Sequence, residues 1–313
     1  MSTEREGRPV VLERDERNVI YSFSRRNCPR AKAAPGDTVI FETMDCFSGQ
    51  LRSSEDKFEK IGWDRINPAT GPLYVEGAND GDTLCVEIAD IQVDGPGIMV
   101  AVPGLGAAPD KIRESATFAV PLRYGLAHLP QGVISEVKPM VGVIGNAPAV
   151  EDVPCGTPGP HGGNLDTKVI QAGSTVYLPV FTDGALLALG DLHALMGDGE
   201  VLVCGVEVPG RVTVNLGLVK GWRAPCPIVE TEEAFFVIWS ADTLDEACRG
   251  AVNASIDLVR ESLGCPEVDA LALLSVLGNL QVSQVVDPLK TVRMEVPKAA
   301  LKGRGLIPGK RGS

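Results

Sequence analysis

The sequence is poor in aromatic residues, in histidine and in uninterrupted apolar runs. Aromatic residues make up 5% of the 313 residues, and there are three histidines in all. The longest apolar stretch, residues 176–189, is interrupted by Pro179 and Asp183. It is too short and too polar to cross a bilayer as a helix, so we expect no membrane-spanning helix and no membrane partner.

An excess of positive charge is also missing. The formal net charge is −12 and the isoelectric point is near 4.8, so a phosphate backbone would be repelled by this chain. Two small basic clusters, at residues 25–32 and 302–311, are not interleaved with aromatic residues, which is typical of solvated surface charge. We therefore expect no nucleic-acid partner.

No CxxC pair occurs among the eight cysteines. The first residues of the chain are too polar for a secretory signal. In a long chain without such a signal, the simplest expectation is a cytoplasmic protein with reduced, mostly buried thiols. A zinc ion held by cysteines alone is not expected.

Glycine and proline, in contrast, are abundant, with 35 and 23 copies. They punctuate a series of short β runs, such as residues 38–43, and this pattern is typical of sandwiches and barrels. Two of the runs, residues 201–208 and 211–219, are predicted to flank Pro209-Gly210 as a hairpin. Residues 1–230 are therefore predicted to form a β-rich, sandwich-like or barrel-like body that carries most of the active site.

The pattern changes after residue 230. Thr243 and Glu246 form the sequence signature of a capping box, and the apolar spacing that follows predicts an amphipathic helix ending at Gly264. Further predicted elements are a helix at 266–277 and strands at 234–239, 281–286 and 291–296. Residues 231–313 are thus expected to form a smaller α+β portion with a tail, which makes the fold class β-rich α+β.

The stretch GDLHALMGDGEV, residues 190–201, concentrates side chains that carry chemistry. In an extended segment Asp191 and His193 would project to the same side, and Asp198 and Glu200 are likewise two residues apart. An imidazole with several carboxylates suits a Zn²⁺-class ion or an acid–base pair beside it. The alternative is a β-turn whose aspartates bond to its own amides, and the local sequence leaves both open.

A second stretch, residues 159–168, is also rich in polar side chains and glycine. Its candidates are His161, Gly162, Gly163, Asn164, Asp166 and Lys168. The glycines would let backbone amides approach a bound group closely, as an oxyanion site requires. A loop with an Asx turn is the alternative, and the local sequence alone favours it.

A third stretch, residues 41–50, places Glu42 and Asp45 at the end of an otherwise apolar strand. A buried carboxylate at such a position needs a cation or several hydrogen-bond donors. Cys46 is a candidate nucleophile, but no histidine is adjacent in sequence to activate it, so an inert thiol is expected.

Seven segments, in order along nearly the full length, together resemble the acetamidase/formamidase family of amide hydrolases. They are FETMDCFSGQ, NPATGPLYVEGANDGDTL, GVIGNAP, GGNLDTK, GSTVYLPV, GALLALGDLHALMGDGEV and SQVVDPLKTVR. The resemblance implies a β-rich body with an α+β portion, metal-dependent hydrolysis of small amides, and a homodimer or higher homo-oligomer.

The resemblance places the site where the residues already suggested it. The family segments GDxHA, GDGE, GGNxDT and FETxD contain the candidates Asp191, His193, Asp198, Glu200, Asn164, Asp166 and Asp45. One departure is Met196, where the family pattern has Gln. A polar contact to the substrate amide would then be missing, which bears on the substrate more than on the type of reaction.

The leading hypothesis is hydrolysis of a short linear amide to its carboxylate and ammonia. A divalent ion, zinc by preference, would be held by His193, Asp45 and Asp191 and would lower the pKa of a bound water toward ~7. Glu200 would take a proton from that water and return one to the leaving nitrogen. The amides of Gly162-Gly163, with Asn164, would stabilise the oxyanion.

Three alternatives remain open from the sequence. The same site could act on a lactam or another formamide-type compound. Residues 191–200 could instead hold a structural Ca²⁺ ion in a non-catalytic binding module; such a site is built from oxygen ligands, so participation of His193 would separate the two readings. Covalent catalysis through Cys46 or Cys155 is the third, and it predicts sensitivity to thiol alkylation rather than to chelators.

Overall fold

The computed structural model describes residues 9–309 of the chain. The polar N-terminal residues 1–8, and Lys310 and Arg311 of the second basic cluster, lie outside the described residues. Within 9–309, neither of the two α-helices is long and apolar enough to span a membrane.

Strands dominate residues 10–241. They are β1 (Val10–Leu12), β2 (Val19–Ile20), β3 (Ser22–Phe23), β4 (Ala31–Ala33), β5 (Thr38–Thr43), β6 (Ala69–Val75), β7 (Thr83–Val93), β8 (Gly97–Ala101), β9 (Ala116–Val120), β10 (Leu122–Arg123), β11 (Leu126–His128), β12 (Ile134–Glu136), β13 (Met140–Gly145), β14 (Val153–Pro154), β15 (Gly162–Asn164), β16 (Thr175–Pro179), β17 (Leu187–His193), β18 (Glu207–Val208), β19 (Gly210–Val219), β20 (Ile228–Glu230) and β21 (Ala234–Ala241).

Two helices and two further strands follow. They are α1 (Leu244–Leu263), α2 (Glu267–Leu277), β22 (Asn279–Gln284) and β23 (Lys290–Pro297). Short 3₁₀ turns occur at Glu16–Asn18, Phe58–Lys60, Trp63–Arg65, Pro109–Lys111, Pro130–Gly132 and Lys298–Leu301.

The strands form two large sheets. The first has nine strands in the order β1-β5-β19-β7-β16-β20-β21-β23-β22. The second runs β15-β13-β17-β18-β8-β9, with β6 on β17 and both β2 and β4 on β6. A small sheet, β10-β11-β12, and the pair β3-β14 complete the described strands.

The main apolar core lies between the two sheets. Phe41 and Val212 of the first sheet and Leu189 and Val208 of the second belong to one buried cluster. Strand β5, which covers the predicted residues 38–43, alternates inward and outward side chains as a sheet with one buried face requires. The β-rich, sandwich-like α+β fold expected from the sequence is thereby confirmed.

The predicted hairpin at Pro209-Gly210 is wrong. Strand β18 is only two residues long and pairs with β17 and β8 in the second sheet, whereas β19 begins at Gly210 and pairs with β5 and β7 in the first. At Pro209-Gly210 the chain passes from the second sheet to the first. A Cβ on Gly210 would lie 2.4 Å from the carbonyl oxygen of Gln92, so the close approach of the strands requires glycine there.

The C-terminal elements occur in the predicted order of strand, two helices and two strands. Thr243 accepts a hydrogen bond from the Glu246 amide at 3.2 Å, and Gly264 closes α1 in the left-handed conformation with φ 66°. The strands β21, β23 and β22 extend the first sheet beyond β20, and the helices pack on this part of it through a second apolar cluster that includes Phe235 and Leu258. The division of the chain at residue 230 into two parts stays a prediction.

Candidate active site

Four carboxylates converge on one imidazole in the interior. The Nε2 atom of His193 lies 3.1 Å from Glu207 Oε1, 3.7 Å from Asp191 Oδ1, 3.7 Å from Asp166 Oδ1 and 4.0 Å from Glu200 Oε1. These five side chains, which we call the acid–imidazole cluster, are at most 3% exposed. Burying so many ionisable groups together is costly unless a cation or shared protons compensate.

Strand β17 supplies the centre of the cluster. Asp191 and His193 both reach it, as the two-residue spacing predicts, although Asp191 has φ 54° and so departs from regular strand geometry. Opposite them on β13, Gly142 leaves room: a Cβ there would lie 2.5 Å from Asp166 Oδ1 and 2.8 Å from the Asp191 carbonyl oxygen. A side chain at position 142 would therefore displace two members of the cluster.

Backbone strain is concentrated at the cluster. Asp166, Asp191 and Glu200 have positive φ values of 38°, 54° and 48°, and the neighbouring Asn67 has a φ of 50°. Non-glycine residues adopt this left-handed region rarely. Such strain tends to be kept where the position of a side chain matters to function.

Glu200 is positioned by the C-terminal strands. The Gly199 amide donates to the Ser283 carbonyl oxygen at 2.8 Å, and the Val285 amide donates to the Gly199 carbonyl oxygen at 3.2 Å. These bonds tie the GDGE turn to the end of β22. Glu200 consequently points into the cluster.

Asp198, predicted to act beside Glu200, points elsewhere. It accepts two hydrogen bonds from the buried Arg293, at 2.9 and 2.8 Å, and pairs with Lys168 at 2.9 Å. The structure thus places both Asp198 and Lys168 in an ion-pair network beside the cluster. This network holds the turn rather than contributing a ligand atom.

Asp287 lies next to the cluster and was not singled out by sequence reasoning. Its carboxylate accepts hydrogen bonds from Asn164 Nδ2 at 3.2 and 3.1 Å, and its amide donates to Gln284 Oε1 at 3.0 Å. It belongs to the segment SQVVDPLKTVR, which contributed to the family resemblance. That membership was the only signal available, because a lone Asp-Pro step is also an ordinary turn.

Glu207 was missed as well. Its Oε1 atom accepts a hydrogen bond from the Gly205 amide at 2.9 Å while facing His193. The available signal was a single charged residue between Val206 and Val208 in an apolar run, since a buried charge needs a partner. The erroneous hairpin hid this signal by suggesting a two-sided surface strand.

The pKa values of the cluster are strongly perturbed. Burial raises the pKa of Asp166 to about 7 and that of Glu207 to about 8, although His193 opposes both shifts. Burial also raises the pKa of Glu200 well above its usual range, with Asp166 adding to the effect. Clusters of perturbed groups in a cavity are a common mark of active sites.

Asp191 and His193 behave differently. Burial would raise the pKa of Asp191, but the His193 ring, whose Nε2 atom lies 3.7 Å from Asp191 Oδ1, lowers it overall. Burial would lower the pKa of His193, yet Glu207 and Asp191 outweigh it and raise the pKa well above 6.5. In the protein alone, His193 is therefore the cation that compensates these acids.

The free oxygen atoms indicate a cation site. One oxygen on each of Asp166, Asp191, Glu200 and Glu207 is buried without a hydrogen-bond partner among the described residues. Three sets of ligand atoms lie within 4.8 Å of one another: Asp166, Asp191 and His193; His193, Glu200 and Glu207; and Cys46, Asp191 and Glu207. Nitrogen with carboxylate oxygen is a donor set that Zn²⁺ and similar ions accept, so the residues fit a divalent metal.

The structure does not bring Asp45 or Glu42 into the cluster. Asp45 accepts hydrogen bonds from the Phe47 amide at 2.8 Å and the Gly49 amide at 3.1 Å, which makes it the cap of its own turn. Glu42 pairs with Arg211 at 2.5 Å near the surface. Their carboxylates are thus occupied by nearby donors.

The glycine pair also has local roles. The Gly162 amide donates to the Gly159 carbonyl oxygen at 3.1 Å, so it is already engaged. Gly163 lies in β15 opposite Ile144, with φ 84° and a Cβ position only 2.3 Å from the Thr157 carbonyl oxygen. Close backbone packing accounts for both glycines.

His161 and Met196 are close to the cluster without joining it. The ring of His161 is buried edge-on against Phe23 at 5.2 Å, and burial lowers its pKa to about 4. The sulfur of Met196 lies 3.3 Å from His193 Nδ1. Met196 therefore contacts the imidazole at Nδ1, whereas the carboxylates face Nε2, and it does not line the cavity.

The surroundings of the two candidate nucleophilic cysteines disfavour ionisation to the thiolate. Burial, with Asp191 and Glu207 adding to it, raises the pKa of Cys46 well above its usual value. Burial likewise raises the pKa of Cys155. Since the thiolate is the reactive form, both shifts count against covalent catalysis.

A cavity of ≈590 Å³ gives access to the cluster. Its polar lining includes Asn67, Asn164, Asp166, Asp191, His193, Glu200, Glu207 and Asp287, together with Tyr21, Ser22, Asp64 and Thr157. Cavities of this size that combine apolar walls with a few convergent polar groups are typical ligand sites.

Comparison with known proteins shows the family to which the chain belongs. Residues 26–154 and 152–301 match the model of the Acetamidase/Formamidase family, and the chain belongs to that family. It is similar to a crystal structure of an acetamidase from Bacillus halodurans, with 46% identity, a TM-score of 0.91, and coverage of 95% of this chain and 100% of that one. A structure from Thermoanaerobacter tengcongensis described as a predicted acetamidase/formamidase has 43% identity, a TM-score of 0.92, and coverage of 96% and 99%.

Curated relatives are more distant. A formamidase from Methylophilus methylotrophus is 28% identical over 286 residues, which is 69% of this chain and 70% of that protein. The chain spans between 60% and 70% of the length of the curated relatives it matches.

Proposed function

We propose that this protein is a metal-dependent amide hydrolase that converts a carboxamide and water into a carboxylate and ammonia. The observation that carries the proposal is the acid–imidazole cluster, whose unpartnered oxygens lie buried at a cavity. Membership of the Acetamidase/Formamidase family supports the type of reaction.

The metal would be held by His193, Asp191 and Asp166 or Glu207, with zinc as the first expectation. Asp45, the third ligand expected from the sequence, is replaced in this proposal by carboxylates that face His193. A bound divalent ion supplies Lewis acidity and a water of lowered pKa. The participation of an imidazole nitrogen argues against a structural Ca²⁺ site, which is built from oxygens.

Glu200 is the proposed general base and acid. Within residues 9–309 one of its oxygens has no hydrogen-bond partner, and burial raises its pKa, so the ionised carboxylate would be a stronger base than a surface glutamate and would take a proton from the attacking water. It would then deliver that proton to the amide nitrogen, which is a poor leaving group unless protonated. Water supplies the OH group of the acid and the proton that the leaving nitrogen receives, so the products are a carboxylic acid and ammonia, which near neutral pH become a carboxylate and an ammonium ion.

Asn164 is the proposed oxyanion donor. The Gly162 amide already donates to the Gly159 carbonyl oxygen and has no second hydrogen to offer. The Asn164 side chain lines the cavity, and its Nδ2 group, which donates to Asp287, has two N–H bonds, one of which would serve the oxyanion while the other stays on Asp287. One donor of this kind stabilises the transition state by about 3 kcal/mol.

The direct test measures ammonia release from formamide and acetamide and, in parallel, ring opening of a small lactam, which yields an amino acid and no ammonia. Turnover should be lost on chelation and recovered on adding back zinc, because the carboxylates alone do not activate water. Glu42→Gln is the matched control for changes in the cluster, since Glu42 lies outside it. Undiminished activity after complete removal of metal would refute the proposal, and turnover confined to the lactam would favour the lactamase alternative. The homo-oligomeric state stays a prediction, to be measured by sedimentation.

A further inference from the structure

The cavity has a second, apolar lining that the proposed chemistry does not use. It comprises Phe47, Phe58, Trp63, Ile66, Val100, Leu105 and Val203. Phe47, Phe58 and Val100 belong to a small buried cluster separate from the main core between the sheets. The acid–imidazole cluster and this apolar lining therefore face one shared space.

Three aromatic rings of this lining stack edge to face. The Phe47 and Phe58 centroids are 6.4 Å apart at an interplanar angle of 87°, and those of Phe58 and Trp63 are 5.1 Å apart at 88°. Offset and T-shaped contacts of this kind hold aromatic rings in fixed orientations. We call these three residues the aromatic wall.

Trp63 is unusual for its exposure. It is 57% exposed, although large apolar side chains are normally buried. Since it also lines the cavity, Trp63 lies where the cavity meets solvent. Covering this exposed apolar surface with a ligand would be favourable, because it removes the surface from water.

Formamide and acetamide are too small to use this space. The cavity, ≈590 Å³ in volume, is within the range of about 300–1,000 Å³ typical of sites for drug-sized ligands. With a formyl or acetyl amide at the cluster, Trp63, the exposed member of the aromatic wall, would remain in contact with water. Binding energy available at a distance from the reacting bond would then go unused.

We propose that the preferred substrate is a primary amide whose acyl group ends in an aromatic ring or a comparably bulky apolar group, packed against the aromatic wall. The inference rests on the proposed amidase function. Because the leaving group there is ammonia, the bulky group must be on the acyl side.

The test compares kcat/KM for phenylacetamide with kcat/KM for acetamide, using the metal-loaded enzyme. A single methylene in an apolar pocket already changes kcat/KM about tenfold, so phenylacetamide should be preferred by at least about tenfold. In Trp63→Ala the ratio of kcat/KM for phenylacetamide to that for acetamide should fall about fivefold, since the loss of one aromatic–aromatic contact has an effect of this size. Trp63 is largely exposed, so this variant should fold. Tyr124→Ala is the matched control, because Tyr124 is fully exposed and outside the cavity, and it should keep the full preference.

Each result bears on one of the two proposals. Hydrolysis of acetamide with equal or higher kcat/KM than phenylacetamide would overturn the substrate inference and leave the amidase function intact. Failure to hydrolyse any amide would remove the amidase function. In that case calorimetric titration with phenylacetamide and acetamide still decides whether the wall binds an aryl group: tighter binding of phenylacetamide that weakens in Trp63→Ala supports the wall, and equal binding overturns it.

Discussion

The Glu207 carboxylate lies 3.1 Å from His193 Nε2, and the side chains of Glu207 and His193 are almost fully buried. The same carboxylate accepts a hydrogen bond from the Gly205 amide at 2.9 Å. Strand β18 brings this carboxylate to β17 at the point where the chain crosses between the two sheets. Glu207 therefore faces the same nitrogen of His193 as Asp166 and Asp191 do, and its second oxygen has no hydrogen-bond partner among the described residues.

Glu207→Gln should weaken metal binding by at least about tenfold, since loss of a carboxylate beside a ligating histidine has effects of this order. Gln keeps the shape but removes the negative charge. Zinc affinity, measured by competition with a chromophoric chelator, is the readout. Glu42→Gln should bind zinc like the parent protein, and unchanged affinity in Glu207→Gln would remove Glu207 from the site.

Glu200→Gln should reduce kcat by about 10²–10⁴-fold, the usual contribution of a general acid or base. The variant should still bind zinc, because His193 and the remaining carboxylates are unchanged. Steady-state ammonia release and metal content are measured on the same sample. Full turnover would exclude Glu200 as the base, and loss of the metal would make it a ligand instead.

Gly142→Ala should disturb the cluster from the opposite strand. Its Cβ would lie 2.5 Å from Asp166 Oδ1 and 2.8 Å from the Asp191 backbone oxygen, and overpacking of this kind costs about 1–3 kcal/mol. Gly217→Ala in β19 meets only Cys85 at 3.4 Å and should be close to neutral. Chemical unfolding and zinc titration of both variants give the comparison; equal behaviour would show that the site tolerates displacement.

Arg293→Met should destabilise the turn that carries Glu200. Arg293 is 1% exposed and makes two hydrogen bonds to Asp198, and breaking a fully buried pair costs about 3–5 kcal/mol. Because the Asp198 side chain is 34% exposed, we expect a smaller cost of roughly 2 kcal/mol after solvent screening. Arg223→Met removes the exposed Arg223–Asp80 pair and should change the free energy of unfolding by less than about 1 kcal/mol.

His161 should make the protein less stable in mild acid. Burial lowers its pKa to about 4 in the folded state, against about 6.5 in an unfolded chain, so the unfolded state binds more protons between these values. The contribution of His161 to stability is therefore full above pH 6.5, falls as the pH drops toward 4, and levels off below it. The free energy of unfolding contributed by His161 is lower at pH 5 than at pH 8 by roughly 2 kcal/mol.

His161→Phe should lack this component of the pH dependence. Urea unfolding at pH 8 and pH 5 measures the difference for each protein, so any constant effect of the new ring cancels. His128→Phe keeps His161 and should retain the parent's loss. Identical losses in His161→Phe and the parent would mean that another group is responsible.

Much of the local structure could be read from the sequence. The alternation in β5, the capping box at Thr243 and the glycine that ends α1 each depend on neighbours within a few residues. The clustering of Asp191 and His193 follows from the two-residue period of a strand in the same way. The structure places three side chains of the stretch 190–201, Asp191, His193 and Glu200, in the acid–imidazole cluster, and their roles stay predictions.

The partners of those residues could not be read in this way. Glu207 joins the cluster because the chain changes sheets at Gly210, where the sequence indicated a hairpin. Asp198 and Glu200, equivalent by spacing, are separated by a turn that β22 anchors and by the buried Arg293. Asp45 stays in its own turn because nearby amides already satisfy its carboxylate.

The sequence by itself determined the β-rich elements, the capped helix and the chemical inventory of acids and histidine, because these depend on periodicities and side-chain types written along the chain. Only the tertiary structure decided which carboxylates meet His193 and that an aromatic wall shares their cavity. Such proximity arises from strand pairing between distant segments and from the exclusion of water between them, and no local pattern records either.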